Sequence, residues 1–168
     1  MPPQLDPETL PRERQLEWAR EIALRRLDQR AYTKAELRLA LLQRKCPADV
    51  AEELLSSFEG VGLLDDAQFA ADWVVSRHGR RNRSRLVVVG ELRRKGVADD
   101  LIAAATAEID QESELSAAHA VAATHLKRLS GLEYPVAYRR LAGALARRGY
   151  APSVVSEVVR ETLLDWSQ

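Results

Sequence analysis

Only one cysteine, Cys46, occurs in the 168 residues of this chain. No disulfide can close within it, and nothing calls for an oxidising compartment. Aromatic residues make up just 5%, too few for a single large aromatic-rich core. No apolar run approaches the roughly 20 residues that a membrane span needs. The start, Met-Pro-Pro-Gln-Leu-Asp-Pro-Glu, has neither the basic opening nor the apolar stretch of a secretory signal, so a soluble cytoplasmic protein with no membrane association is expected. Net charge is missing too: 25 basic residues balance 25 acidic ones. That balance argues against a generic polyanion binder, which carries a net positive charge, but leaves room for local patches.

Sites for chemistry are equally scarce. His78, His119 and His125 stand at no metal-ligand spacing. No glycine-rich phosphate loop occurs, and Ser84 has no nucleophile-elbow context. The pairs Asp65-Asp66 and Asp99-Asp100 resemble catalytic or metal-binding carboxylates, but helix capping explains both more simply. Cys46 reads as a partly buried turn residue. No catalytic residue, cofactor site or metal site is expected.

What is present is helical composition: 46% hydrophobic and 30% charged residues, with glycine and proline placed between periodic segments. Residues 1–13, with four prolines, read as a mobile arm. Leu16, Ala19, Ile22, Ala23 and Leu27 then fall on one helical face, predicting a helix over Arg14 to Gln29. Thr33 and Glu36 have capping-box spacing and start a second helix running through Lys45. Pro47 suits the first turn of a third, with Val50, Leu54, Leu55 and Phe58 inside.

The same grammar continues. Asp65 or Asp66 caps a helix burying Phe69, Trp73 and Val74; Arg80 to Arg83 form a polar loop; Ser84 caps a helix that ends at Gly96. Val87-Val88-Val89 has strand propensity, yet its helical flanks favour a buried helix. Asp99 and Asp100 open the next helix, with Leu101, Ile102, Ala105 and Ile109 inside. Gln111 to Leu115 is either a connection or a helix start. Three more helices end near Leu129, Gly149 and the carboxyl terminus, the last two opening at Pro135 and Pro152. Trp18 and Trp166 lie near the ends, as packing residues or as exposed anchors.

A signature recurs three times. Ala40-Leu-Leu42-Gln-Arg44-Lys45-Cys46, Gly90-Glu-Leu92-Arg-Arg94-Lys95-Gly96 and Gly143-Ala-Leu145-Ala-Arg147-Arg148-Gly149 match at spacings of 50 and 53 residues. Val50, Leu101 and Val154 take the early apolar place in the helix after each copy, and the first copy reads as one residue shorter. The expected fold is therefore all-α: three tandem three-helix repeats, over residues 14–64, 65–110 and 111–168, forming an elongated array, straight or curved.

Charge gathers in the second repeat. Between Arg77 and Gly96, eight cations, Arg77, Arg80, Arg81, Arg83, Arg85, Arg93, Arg94 and Lys95, face one acid, Glu91. Cations in the last turn of a helix are favourable by about 0.3 to 1 kcal/mol in any protein. Arg93, Arg94 and Lys95 share that explanation with Arg44, Lys45, Arg147 and Arg148. Arg80, Arg81, Arg83 and Arg85 do not, since they precede a helix. These are the stronger candidates for contacting nucleic-acid phosphate or an acidic partner surface, and the eight together form the candidate partner-binding set.

Gly62-Leu-Leu-Asp65-Asp66-Ala-Gln-Phe69-Ala, Glu91-Leu92-Arg-Arg-Lys-Gly96-Val97 and Tyr32-Thr33-Lys-Ala-Glu36-Leu37, in this order and spacing, resemble the RecX family of bacterial recombinase regulators. The resemblance covers Ala19 to Ile109 well and the third repeat more weakly. This chain has Ser84 where the family commonly has glycine before the fifth helix. The resemblance implies an all-helical, noncatalytic protein that binds the RecA filament and inhibits its ATPase, strand-exchange and coprotease activities, so modulating recombinational repair and the SOS response. A monomer is expected, with single- or double-stranded DNA as a further partner. Two other readings stay open: a sequence-tolerant DNA-binding protein, and a general helical protein-interaction scaffold.

Overall fold

The computed structural model describes residues 7–166, and among these every regular element is helical. After a 3₁₀ turn at Pro7–Thr9, the chain forms α1 (Arg12–Leu27), α2 (Lys34–Leu42), α3 (Ala48–Gly60), α4 (Asp66–Val74), α5 (Arg85–Arg94), α6 (Asp99–Ala105), α7 (Gln111–Leu129), α8 (Tyr134–Arg147) and α9 (Pro152–Thr162). Residues 1–6 of the expected arm lie outside the described residues. The remainder meets α1 where the buried Gln15 side chain donates to the Pro7 carbonyl over 3.0 Å.

The residues divide into two compact units. Met1–Ala70 with Arg93–Leu101 make one; Ala71–Leu92 with Ile102–Gln168 make the other. In the first, α1, α2 and α3 bury Ala19, Leu37, Leu41, Val50, Leu55 and Phe58 together. Trp18 packs against that cluster as a half-buried residue. In the second, α7, α8 and α9 bury Val121, Leu141, Leu145, Val158 and Leu163. Trp166 packs there and donates its indole N–H to the Leu132 carbonyl over 2.9 Å. Both terminal tryptophans therefore serve packing.

Local chemistry sets the helix starts. Thr33 and Glu36 form a full capping box, and the Asp110 carboxylate accepts from the Ser113 amide, so Gln111 to Leu115 is a helix start. Ser84 Oγ accepts from the Val87 amide at 3.3 Å. The valine triplet is helical, although of the run Leu86 to Val89 only Val88 is fully buried and Leu86 is 74% exposed. α1 starts and ends two residues earlier than its periodicity suggests, and Pro47 sits at the N-cap of α3, just ahead of the first turn.

The aspartate pairs stand where helices begin, as expected, but their members differ in what they bond. Asp65 caps α4 through the Gln68 amide at 2.9 Å, but Asp66 reaches the Lys34 amide at 2.9 Å and so caps α2. Asp99 is the first helical residue of α6, and its carboxylate takes the Arg93 guanidinium at 2.8 Å. An acid in the first turn still meets the helix dipole favourably, without closing a cap.

The repeat register also shifts by one residue. Leu41, Leu92 and Leu145 are each fully buried, whereas Leu42 is half-buried. Four residues beyond each of these leucines the backbone turns left-handed, at Lys45 (φ 62°), Gly96 (φ 76°) and Gly149 (φ 85°). The next residue is buried in all three copies, as Cys46, Val97 and Tyr150. The first copy is therefore not shorter. α2 stops at Leu42, short of Lys45, and Cys46 is the equivalent of Val97 and Tyr150.

Neighbouring side chains decide where that turn needs glycine. A Cβ on Gly96 would overlap Ala35 Cβ, and one on Gly149 would overlap Val87 Cγ2 and lie 2.8 Å from Ser84 Oγ. Lys45 is exposed, so only its φ is unfavourable. A left-handed non-glycine residue costs about 1–2 kcal/mol. Lys45→Gly is expected to stabilise the protein by about 1 kcal/mol, after allowing for a lost helix-end cation and greater chain entropy. Thermal melting should rise by about 2–4 °C; an unchanged or lowered midpoint would refute the strain argument.

A basic loop pinned through its backbone

α4 does not stop cleanly at Val74. The chain widens into a π turn over Val75–Gly79, and the Arg80 amide donates to the Val75 carbonyl at 3.0 Å. Such widened turns often accompany functional segments. The following residues are held closely by backbone hydrogen bonds. The Asn82 and Arg83 amides donate to the His78 and Arg77 carbonyls, at 3.1 and 3.0 Å, and His78 Nδ1 lies 2.8 Å from the Arg83 carbonyl, which fixes it as the protonated nitrogen. Asn82 takes the left-handed conformation at φ 49°.

The turn after α8 completes the fastening. Arg148 donates from its guanidinium to the Arg81 carbonyl, Tyr150 donates from its hydroxyl to the Asn82 carbonyl over 2.7 Å, and the Ser84 amide donates to the Arg148 carbonyl over 3.3 Å. The loop's carbonyls thus point into the fold. Its exposed arginine side chains carry no such tether.

This fastening separates the eight candidate cations into two groups. Arg77 lies over the Trp73 ring, 4.2 Å from its centroid, and its Nε is 3.5 Å from Glu91, which also accepts from the Trp73 indole at 2.9 Å. It is a packed, half-buried side chain. Arg85 reaches the Thr106 carbonyl and hydroxyl, both at 3.4 Å. Arg93 pairs with Asp99. Lys95 pairs with Glu36 at 2.7 Å and lies over the Phe69 ring. Burial alone would raise the Glu36 pKa, but Lys95, Arg30 and the Thr33 amide hold it below the usual carboxylate range. Among the described residues, Arg80, Arg81, Arg83 and Arg94 form no side-chain hydrogen bond or ion pair. Arg80 and Arg81 are exposed on the loop, Arg83 is half-buried there, and Arg94 is exposed on the last turn of α5.

Sequence reasoning missed the latch residues. Arg148 looked like an ordinary helix-end cation, and Tyr150 was not singled out. The signal was a large aromatic in a chain with few of them, directly after the repeat glycine. Burial, with the Glu114 carboxylate adding to it, pushes the Tyr150 phenol up to about 12. The folded protein therefore holds this proton more tightly than the unfolded chain, where tyrosine titrates near 10. Its stabilising contribution is complete below about pH 10 and is lost as pH rises through about 12, an effect on the order of 2 kcal/mol. Urea melts should show wild type losing more stability than Tyr150→Phe between about pH 9 and pH 12. Parallel losses would contradict the assignment.

Family models match almost the whole helical array. RecX, first three-helix domain, matches residues 19–57; RecX, second three-helix domain, matches 65–105; and RecX, third three-helix domain, matches 112–159. The chain belongs to the RecX family. All eight candidate cations fall within the second RecX domain.

Curated relatives agree. The chain is 43% identical over 148 residues to Regulatory protein RecX of Streptomyces coelicolor, spanning 88% of this chain and 79% of that protein. It is 39% identical over 162 residues to Regulatory protein RecX of Amycolatopsis mediterranei, spanning 96% and 93%. The crystal structure of RecX from Lactobacillus salivarius superposes with a TM-score of 0.78 at 17% identity, over 90% of this chain and 99% of that one. That likeness supports the all-helical fold. Among the described residues, no helix of the chain is long and apolar enough to cross a membrane.

Proposed function

We propose that this protein is a noncatalytic regulator that binds the RecA-DNA filament and inhibits its ATPase, strand-exchange and coprotease activities, modulating recombinational repair and the SOS response. Membership of a family whose members are named regulatory proteins supports the regulatory role. The observation that carries the contact assignment is a loop with its backbone fastened inward while the Arg80, Arg81 and Arg83 side chains have no partner among the described residues. A fastened loop presents cations to an acidic or phosphate surface with little ordering entropy left to lose on binding. Arg77, packed on Trp73 and beside Glu91, is left out of the contact set.

The direct test is single-stranded-DNA-dependent ATP hydrolysis by the cognate recombinase, with substoichiometric amounts of this protein added to a fully formed filament. Inhibition is expected. Unchanged hydrolysis at stoichiometric excess would rule the proposal out. If the protein instead bound bare DNA with a steep salt dependence and left the filament unaffected, the sequence-tolerant DNA-binding reading would take its place.

A further inference from the structure

A second concentration of unpaired charge lies on α7 and α8, in the third RecX domain. Between α7 and α8 lies an open notch of about 400 Å³ lined by His125, Arg128, Leu129, Arg139, Arg140, Ala144 and Arg147. No acidic residue lines it. Among the described residues, none of its four arginines makes a side-chain hydrogen bond or ion pair. Arg12, Arg30, Arg38, Arg77 and Arg93, by contrast, each meet a carboxylate.

Two details indicate that the cluster is built to receive something. Arg140, Ala144 and Arg147 are spaced by four and three along α8 and so share one face, while His125 and Arg128 share a face of α7. Between the α8 arginines lies Gly143, in a helix interior where glycine costs about 1 kcal/mol relative to alanine. A Cβ there would come within 3.2 Å of Arg147 Nη1. The glycine thus leaves room for the guanidinium to lie along the helix. On the opposite wall, His125 Nδ1 is buried with no hydrogen-bond partner among the described residues. Burial, followed by the charges of Arg128, Arg148 and Arg147, lowers the pKa of this ring.

We propose that this notch between α7 and α8 is a nucleic-acid phosphate site, contacted by Arg139, Arg140, Arg147 and Arg128. Four exposed guanidinium groups that line one notch, without an ion-pair partner among the described residues, repel one another until an anion enters. Their planar forks match phosphate oxygens in bidentate geometry. A nucleic-acid strand carries one negative charge per nucleotide, so a short segment can engage several arginines at once. One carboxylate from an acidic protein surface would satisfy a single fork. The site is independent of the recombinase proposal, because it concerns bare nucleic acid.

The test uses the full chain, a fluorescein-labelled single-stranded oligonucleotide and anisotropy titrations between about 50 and 200 mM KCl. Arg139→Gln with Arg140→Gln and Arg147→Gln should weaken binding by about tenfold or more and flatten the log–log salt slope by about two units. Replacing the same three by lysine should restore much of the affinity. Equal affinity and slope in wild type and the glutamine variant would overturn the proposal. So would loss of recombinase binding with oligonucleotide binding intact, which would assign the notch to an acidic protein surface. A second measurement needs only the wild type: phenylglyoxal labelling read by mass spectrometry should show Arg139, Arg140 and Arg147 protected by the oligonucleotide. Undiminished labelling at saturating oligonucleotide overturns the proposal even if the variant misfolds.

Discussion

Gly149→Ala is expected to destabilise the second unit by about 3 kcal/mol or more. Two effects add. The backbone at Gly149 has φ 85°, where an L-residue costs about 1–2 kcal/mol. The new methyl would also overlap Val87 Cγ2 and lie 2.8 Å from Ser84 Oγ. Neither neighbour can give way easily: Ser84 is 1% exposed and caps α5, and Val87 sits in its first turn. Relieving the overlap means moving the α8 turn off the amino-terminal end of α5. That movement would also strain the Arg148 and Tyr150 bonds to the loop carbonyls of Arg81 and Asn82. Denaturant melts should therefore show a lowered midpoint, and hydrogen exchange should show faster opening of the amides from Asn82 to Ser84. A variant as stable as wild type would mean that the turn is not held against α5. By the same reasoning Gly96→Ala, which would overlap Ala35, should be costly, whereas the exposed Lys45 position gains from glycine.

Reversing three charges on the loop should have a large effect of another kind. Arg80→Glu with Arg81→Glu and Arg83→Glu is expected to weaken filament binding by about 100-fold near 0.1 M salt, roughly 1 kcal/mol for each reversed contact. Stability should stay within about 0.5 kcal/mol of wild type, because these side chains make no bond among the described residues and surface changes of this kind are usually neutral. Arg77→Glu is the informative contrast. It would remove a guanidinium from the Trp73 ring and set a carboxylate beside Glu91, so it should lower the melting temperature. Equal binding by the triple variant and wild type would leave the proposed contact surface without support. Unfolding of the triple variant would instead mean that the loop side chains are structural.

The sequence determined the helical architecture because its signals are local. Apolar spacing, the Thr33 capping box, Ser84 before α5, and glycine after α5 and α8 each act within a few residues, and each recurs where a helix begins or ends. Local signals also located the charge concentration between Arg77 and Gly96. They could not set the repeat register at Leu41, since both Leu41 and Leu42 fit an apolar face and only packing shows which one is buried. Nor could they predict that Asp66 would cap α2 instead of α4, because the Lys34 amide is 32 residues away in sequence.

The tertiary structure decided which cations are free. Arg77, Arg85 and Lys95 look like their neighbours in sequence, yet their partners Glu91, Thr106 and Glu36 reach them only through the fold. It also decided that Gly96 and Gly149 answer two demands at once, a left-handed turn and a close neighbour, while Lys45 answers only the first. The reason is physical: backbone preference is written residue by residue, but pairing, burial and close approach depend on segments that only folding brings together.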